Sequence, residues 1–252
     1  MKRGYIIEIE GTNGAGKTTL TKMLYKNLKE KGYPVELVRE PGGSDKAEVI
    51  RNLAVKDDGE SKIGELAGFF LFLASRAQLI YDKAEKELAN GKILIYDRYE
   101  DSTRVYQGVL ANIGLANVET MLDSVFKDYR PEVTVLLDVE PSLGMERANR
   151  DGVETNKYDK QSLDYYVKVR DTYKKIFEER KKTNEHCYIL DSNRELNIVY
   201  EELLNVIEKE IKDRLNIWQE LKQDLISITR VLFFHVYGMR KYKKKIKEYK
   251  DV

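Results

Sequence analysis

The sequence predicts an α/β protein: a parallel sheet covered by helices on both faces, with a helical extension at its C-terminal end. Three observations carry that prediction. Short β-rich runs alternate with longer stretches of helical periodicity as far as residue 190. Several of those runs are apolar at consecutive positions, as strands covered on both faces require. No internal repeat is visible and only four prolines punctuate the chain, so nothing divides residues 1–211 into two domains.

In chain order, "YIIEI" (5–9) is the first strand and a helix follows near 17–31. "VELV" (35–38) is the second strand, succeeded by helical patterns at 46–55 and 63–90. "ILIY" (93–96) and "VTVLLDV" (133–139) are the third and fourth strands, with a helix at 117–128 between them. Helices at 141–150 and 160–182 lead to "CYIL" (187–190), the last strand, and a helix from 195 onward. Strand–helix alternation of this kind builds a parallel sheet flanked by helices. Residues 212–252 differ. From Trp218 to Tyr249 largely apolar residues, with His235 among them, fall at alternating spacings of three and four, with Leu204, Ile207 and Ile211 on the same phase upstream. That is a heptad seam, weakened at Gly238 by about 1 kcal/mol relative to alanine.

A composition 42% hydrophobic and 35% charged belongs to a folded core with a well-solvated surface. The net charge of +1 conceals an asymmetry, since residues 212–252 carry 11 Lys+Arg against 5 Asp+Glu, and residues 1–211 carry 33 against 38. An acidic partner would therefore meet the extension. The single cysteine, Cys187, excludes an internal disulfide and reads as a buried, inert thiol. Charge interrupts the opening "MKRGYIIEIEG", and no uncharged run approaches the roughly 18 residues of a membrane span, so a cytoplasmic protein is expected.

The stretch "GTNGAGKTT", Gly11-Thr12-Asn13-Gly14-Ala15-Gly16-Lys17-Thr18-Thr19, carries chemistry. Polyphosphate needs many short donors converging on it, and glycines let backbone N–H groups turn inward together. Lys17 adds a point charge for the outer phosphates, Thr18 a hydroxyl for Mg²⁺, and the helix beginning near Lys17 its positive end. A strand before and a helix after favour a phosphate loop over a plain Gly-rich turn.

Asp97 and Arg98, in "YDRYEDSTRVYQG" (96–108), lie at the carboxyl end of a strand, where open α/β sheets bind ligands. They suit a carboxylate near the metal and an arginine for a second phosphate. They suit equally a helix-cap cluster. Beyond them Thr103, Tyr106 and Gln107 share one face of a helix, lining a pocket or forming an amphipathic surface. In "GFFLFLASRAQLI" (68–80), Arg76 interrupts an apolar stripe and has no acidic residue three or four positions away. Its partner must come from elsewhere in the fold or from a ligand. Phe72, one turn earlier, offers an aromatic plane for a base, or else a core ring beside a structural ion pair.

Over residues 1 to about 211 the chain resembles the bacterial thymidylate kinases. The resemblance rests on "IEGTNGAGKTT", "REPGGS" (39–44), "LFLASRAQL" (71–79), "DRYEDSTRVYQG", "RPEVTVLLDV" (130–139) and "NKYDKQSLDYY" (156–166), in that order. It implies a P-loop nucleoside monophosphate kinase fold with a five-stranded parallel sheet, a homodimer, and transfer of the γ-phosphate of ATP to dTMP. It further implies that Gly11–Thr19 hold the ATP phosphates and that Thr18 and Asp97 hold Mg²⁺. Arg98 and Arg51 would hold the acceptor phosphate. Phe72 would stack on thymine, with Arg76, Thr103 and Gln107 reading its polar edge, and Tyr106 would crowd out a 2′-hydroxyl. Glu40, before Pro41, would line the acceptor site, and its bond to Pro41 is a candidate for the cis form. Arg147 and Arg150 would be catalytic arginines of a lid at about 147–160.

Two positions depart from the family pattern. Asn13 stands where an acidic residue is usual, losing a charge-assisted hydrogen bond worth roughly 1 kcal/mol. The lid carries Lys157 where arginine is usual, and lysine lacks the bidentate fork. Two rival readings follow: a kinase for another deoxynucleoside monophosphate, and a weakly catalytic nucleotide-binding adaptor acting through its extension. For the extension itself, helix association competes with membrane-surface contact through "LISITRVLFFHVYGM" and "RKYKKKIKEYK", and with a helix folded back on the body. No nucleic-acid partner is expected.

Overall fold

The computed structural model describes residues 3–55, 62–150, 161–184 and 186–214. Most of the expected lid, from 151 to 160, and the heptad seam from Trp218 onward lie outside the described residues. The chain divides into two compact units, Met1–Leu204 and Asn205–Val252. In the second unit the described residues, 205–214, are helical.

Five strands form the predicted sheet: β1 (Tyr5–Gly11), β2 (Val35–Arg39), β3 (Ile93–Asp97), β4 (Val133–Asp138) and β5 (Cys187–Asp191). Their order is β2-β3-β1-β4-β5 and every pairing is parallel. The inner strands β1, β3 and β4 are the near-continuously buried ones, because both their faces are covered. The register sets Ile9 beside Asp97, so the phosphate loop leaving β1 and the turn leaving β3 emerge side by side. The chain leaving β1 leads to β2 and the chain leaving β3 leads to β4, on opposite sides of the pair. A crevice opens at such a switch point, beyond the carboxyl ends of the strands.

The helices include α1 (Lys17–Glu30), α2 (Asp45–Val55), α3 (Glu65–Leu79), α4 (Glu85–Ala89), α5 (Glu100–Ser102), α6 (Leu115–Val125), α7 (Pro141–Arg150) and α8 (Leu163–Lys181), and residues 196–204 are helical as well, as the sequence predicts. The helical pattern at 63–90 is not one regular helix, because a π turn, Ile80–Ala84, joins α3 to α4. The wide turn keeps Ile80, Ala84 and Leu88 buried while Tyr81 points outward, 78% exposed. A second π stretch, Thr103–Leu110, continues α5. One cluster of the core packs α3, α4 and α6 against β1, β2 and β3, with Phe69, Leu79, Tyr96 and Tyr99 among its members. Another packs Val169, Tyr173 and Phe177 of α8 against Leu136 and Cys187. Burying a ring such as Phe177 stabilises by roughly 1.5–3 kcal/mol. Cys187 is the inert thiol expected: it is buried, and burial raises its pKa.

Candidate active site

The phosphate loop takes its shape from backbone that only glycine allows. Gly14 has φ 76°, and a Cβ there would lie 1.9 Å from the carbonyl oxygen of Gly144 on α7. Gly16, at φ 86°, is the N-cap of α1, which has no side-chain cap and no acidic residue in its first turn. The helix therefore offers its first N–H groups and positive end outward, undiminished by an internal anion. Lys17 is buried, its Nζ donating to the Thr12 carbonyl at 2.7 Å. Ser192, just past β5, supports the loop from behind by donating Oγ–H to the Ala15 carbonyl at 2.7 Å. Thr18 and Thr19 are exposed at the mouth.

Thr18 Oγ1 donates to Asp97 Oδ2 at 2.6 Å, joining the loop to the end of β3. A hydroxyl and a carboxylate at that separation are hard oxygen donors of the kind Mg²⁺ takes alongside phosphate and water. The helix-cap reading of Asp97 and Arg98 does not hold. The N–H groups opening the α5 helix go to two strand carboxylates instead: Tyr99 N and Ser102 N donate to Glu10 Oε1, both at 2.9 Å. Asp101 N donates to Glu8 Oε1 at 2.8 Å. Asp97 and Arg98 are thereby left for other chemistry.

Arg98 adopts φ 68° and turns its guanidinium back to the loop. Nη1 donates to the Gly11 carbonyl at 3.1 Å, Ser102 Oγ at 3.2 Å and Tyr173 Oη at 3.3 Å, and Nη2 donates to Asn13 Oδ1. All four are neutral acceptors. Its nearest carboxylate oxygen, Glu10 Oε2, stands 3.6 Å away. The positive charge is held in place without a direct hydrogen bond to a carboxylate.

Arg76 finds its missing partner 36 positions upstream, donating Nε–H to Glu40 Oε2 at 2.7 Å. Nη2 donates to the Tyr99 carbonyl at 2.9 Å and Thr103 Oγ1 at 3.0 Å, and the guanidinium carbon lies 4.6 Å from the Tyr99 ring centroid. Arg76 Nη1 and Glu40 Oε1 are buried with no hydrogen-bond partner among the described residues. The pair is thus a structural ion pair and, at once, a site with one donor and one acceptor unspent. Burial pushes the Glu40 carboxyl up to about 7 against the pull of Arg76. Burial also works against the Arg76 cation, yet Glu40 holds it above the ordinary arginine range. Glu40 is fixed by its N–H donating to the Asp97 carbonyl at 3.2 Å, and its bond to Pro41 is cis.

Phe72 is half-buried and stands outside the clusters that form the core. Thr103 and Gln107 are buried, whereas Tyr106 is half-buried. The π turn is wider than the assumed α turn, and Tyr106 rests edge-on against Tyr173 with Arg98 5.7 Å from its centroid. Arg51 joins Asn52 at 3.3 Å and Glu48 at 3.8 Å along α2. Arg147 reaches the loop's support, donating to the Ser192 carbonyl at 2.8 Å. Arg150 does not join it: it is 67% exposed and pairs with Glu146 at 2.6 Å, four residues back on the same helix.

Sequence reasoning missed Glu8, Glu10, Ser102 and Tyr173. A signal existed for the first two, since carboxylates two apart on a strand covered on both faces cannot stay solvated. Tyr173 gave none; it arrives from α8, 75 positions beyond Arg98.

A family model described as "Thymidylate kinase" matches residues 9–203. A curated thymidylate kinase of Shouchella clausii is 34% identical over 210 residues, spanning 83% of this chain and 97% of the relative. One from Clostridium novyi is 33% identical over 204 residues, spanning 81% and 98%. The crystal structure of thymidylate kinase from Ehrlichia chaffeensis superposes with a TM-score of 0.64 at 28% identity, covering 81% of this chain and 98% of that one.

Proposed function

The chain belongs to the thymidylate kinase family, and we propose that the site described above transfers the γ-phosphate of ATP to dTMP, giving dTDP. One observation carries the reading beyond the family name: Arg98, a cation whose hydrogen-bond acceptors are all neutral, stands against the phosphate loop at Gly11 and Asn13. Phosphoryl transfer needs no protein nucleophile. It needs two anionic substrates aligned and the charge spreading over the transferred group neutralised. The loop's N–H groups and Lys17 face the donor phosphates, and Arg98 faces the acceptor phosphate. Asp97 accepts from Thr18 at the edge of the loop. Thr18 and Asp97 would hold Mg²⁺, which supplies charge neutralisation at the β- and γ-phosphates.

For the acceptor base, the unspent Nη1 donor of Arg76 supports its pairing with the polar edge of thymine. Thr103 and Gln107 stand on the adjoining turn and Phe72 supplies the stacking face. Tyr106, braced by Tyr173, stands at Arg98 beside the acceptor phosphate, supporting a role against a 2′-hydroxyl. Arg147 assists from the donor side, whereas Arg150 in its exposed pair is not part of the proposed machinery. A coupled ADP-release assay across dTMP, dUMP, dCMP, dAMP and dGMP tests the reading. Turnover is expected to be highest with dTMP, and equal or greater kcat/KM with another acceptor would overturn it.

A homodimer belongs to the same proposal. Val49 and Leu53 on α2, and Leu66 and Phe70 on α3, are 60%, 57%, 58% and 51% exposed, an apolar face shared by two packed helices. A second copy meeting it isologously would bury it. Phe70→Glu is expected to shift the sedimenting species from about twice 29.4 kDa to 29.4 kDa; an unchanged mass would exclude this face.

Residues 1–211 as catalytic domain and 212–252 as extension complete the proposal, supported by the family match ending at 203. The seam in the extension supports helix association, which truncation after residue 211 tests by solution mass and lipid binding. No helix among the described residues is long and apolar enough to cross a membrane. The cytoplasmic placement rests on ATP as donor and on the single, buried cysteine.

A further inference from the structure

Glu10 is wholly buried at the end of β1, one residue before the phosphate loop. Its Oε1 accepts from Tyr99 N and Ser102 N, closing over the turn that contains Arg98. Its Oε2 accepts from Tyr173 Oη at 2.8 Å, Ser102 Oγ at 3.0 Å and Gly11 N at 3.3 Å. Five donors from β1, the turn after β3, and α8 converge on one carboxylate.

Two consequences bear on Arg98. A left-handed residue other than glycine is strained and persists only where its surroundings over-determine it. Here Arg98 N donates to the Ile9 carbonyl at 3.1 Å and the next N–H is taken by Glu10. The second consequence concerns protons. Glu10 Oε2 draws the hydroxyl hydrogens of Tyr173 and Ser102 toward itself, and the two hydroxyl oxygens, 3.0 Å apart, can also share a hydrogen between them. Their lone pairs then face Arg98 Nη1, at 3.3 and 3.2 Å. This fixes the Nη1 side of the guanidinium. Nε and the second Nη2 hydrogen make no hydrogen bond among the described residues and remain for an oxyanion.

We propose that Glu10 is a positioning residue for phosphoryl transfer: it orients the hydroxyls of Tyr173 and Ser102, and through them sets the Arg98 guanidinium toward the acceptor phosphate. The proposal rests on the kinase reading above. Glu10→Gln keeps the shape but puts an NH₂ donor where one oxygen stood, so a hydroxyl hydrogen is turned away from that position, toward the neighbouring hydroxyl or toward Arg98. Tyr173→Phe removes only the hydroxyl and keeps the buried ring.

The test is steady-state kinetics with ATP and dTMP on both variants, alone and in the Arg98→Ala background. Glu10→Gln is expected to lower kcat about 100-fold, the scale of a misplaced catalytic group. Tyr173→Phe should lower it about 10-fold, as loss of a hydrogen bond to a charged group does. KM for ATP should change less than about threefold, and in the Arg98→Ala background neither variant should lower kcat further, because the effect runs through Arg98. Losses that multiply with that of Arg98→Ala, or affinities for ATP and dTMP falling together, would show a purely structural role. Should Glu10→Gln fail to fold, a Tyr173→Phe kcat within twofold of wild type would by itself overturn the proposal. A wild-type enzyme inactive with every acceptor would instead remove the kinase reading beneath it.

Discussion

Arg98→Ala is expected to lower kcat with dTMP by about 10³-fold, the lower end of what a cation at the transferred phosphoryl group contributes. The effect should fall on kcat and on KM for dTMP and spare ATP, because Lys17 and the loop hold the donor without Arg98. Stability should change little. The side chain is only 17% exposed, but its hydrogen-bond acceptors are all neutral, and the nearest carboxylate, Glu10, keeps five other donors. Arg98→Lys should recover only part of the loss, since an ammonium cannot hold two oxygens in one plane. Rates and a thermal melt, taken together, check both halves. An Arg98→Ala protein with near-normal kcat would mean that no phosphate passes there.

Arg76→Ala should act on both fold and function. Glu40 is buried to the same degree as Arg76, and removing one partner of a buried ion pair costs about 3–5 kcal/mol. The sign of its pH dependence is fixed. A carboxyl raised to about 7 from 4.5 contributes most to folding below the lower value and loses that contribution as pH rises through 7. Without Arg76 the carboxyl rises further, so the variant should be least destabilised near pH 5 and most near pH 8. Arg76→Ala with Glu40→Gln should regain much of the stability. Neither protein should regain dTMP affinity, because the Nη1 donor is gone. Recovery of dTMP binding in the double variant would show that Arg76 serves the fold alone.

The difference between Arg98 and Arg76 shows what the sequence made legible. The phosphate loop was readable because its chemistry is local: nine consecutive residues set both backbone and charge. The five strands were readable for a similar reason, as short β-rich runs leave a pattern in their own residues, strongest in the inner strands covered on both faces. Arg76 was legible only as an anomaly, an arginine on an apolar stripe. Its partner Glu40 belongs to another element, and no spacing rule connects them. The contacts of Tyr106 with Tyr173 and Arg98 had no local signal, because helical periodicity assumes an α turn where the chain after Ser102 forms a wider π turn. Glu10 was passed over as part of a strand, although a carboxylate there had to find donors. Those donors, Tyr99, Ser102 and Tyr173, are distant in sequence and meet only in the folded sheet.

The central claim is that one phosphoryl group passes from donor to acceptor between Lys17 and Arg98. Incubating the protein with γ-³²P-labelled ATP and dTMP and following the label tests this most directly. Label appearing in dTDP in step with ADP formation is the predicted result. Label released as inorganic phosphate, or left in ATP however much dTMP is present, would contradict it.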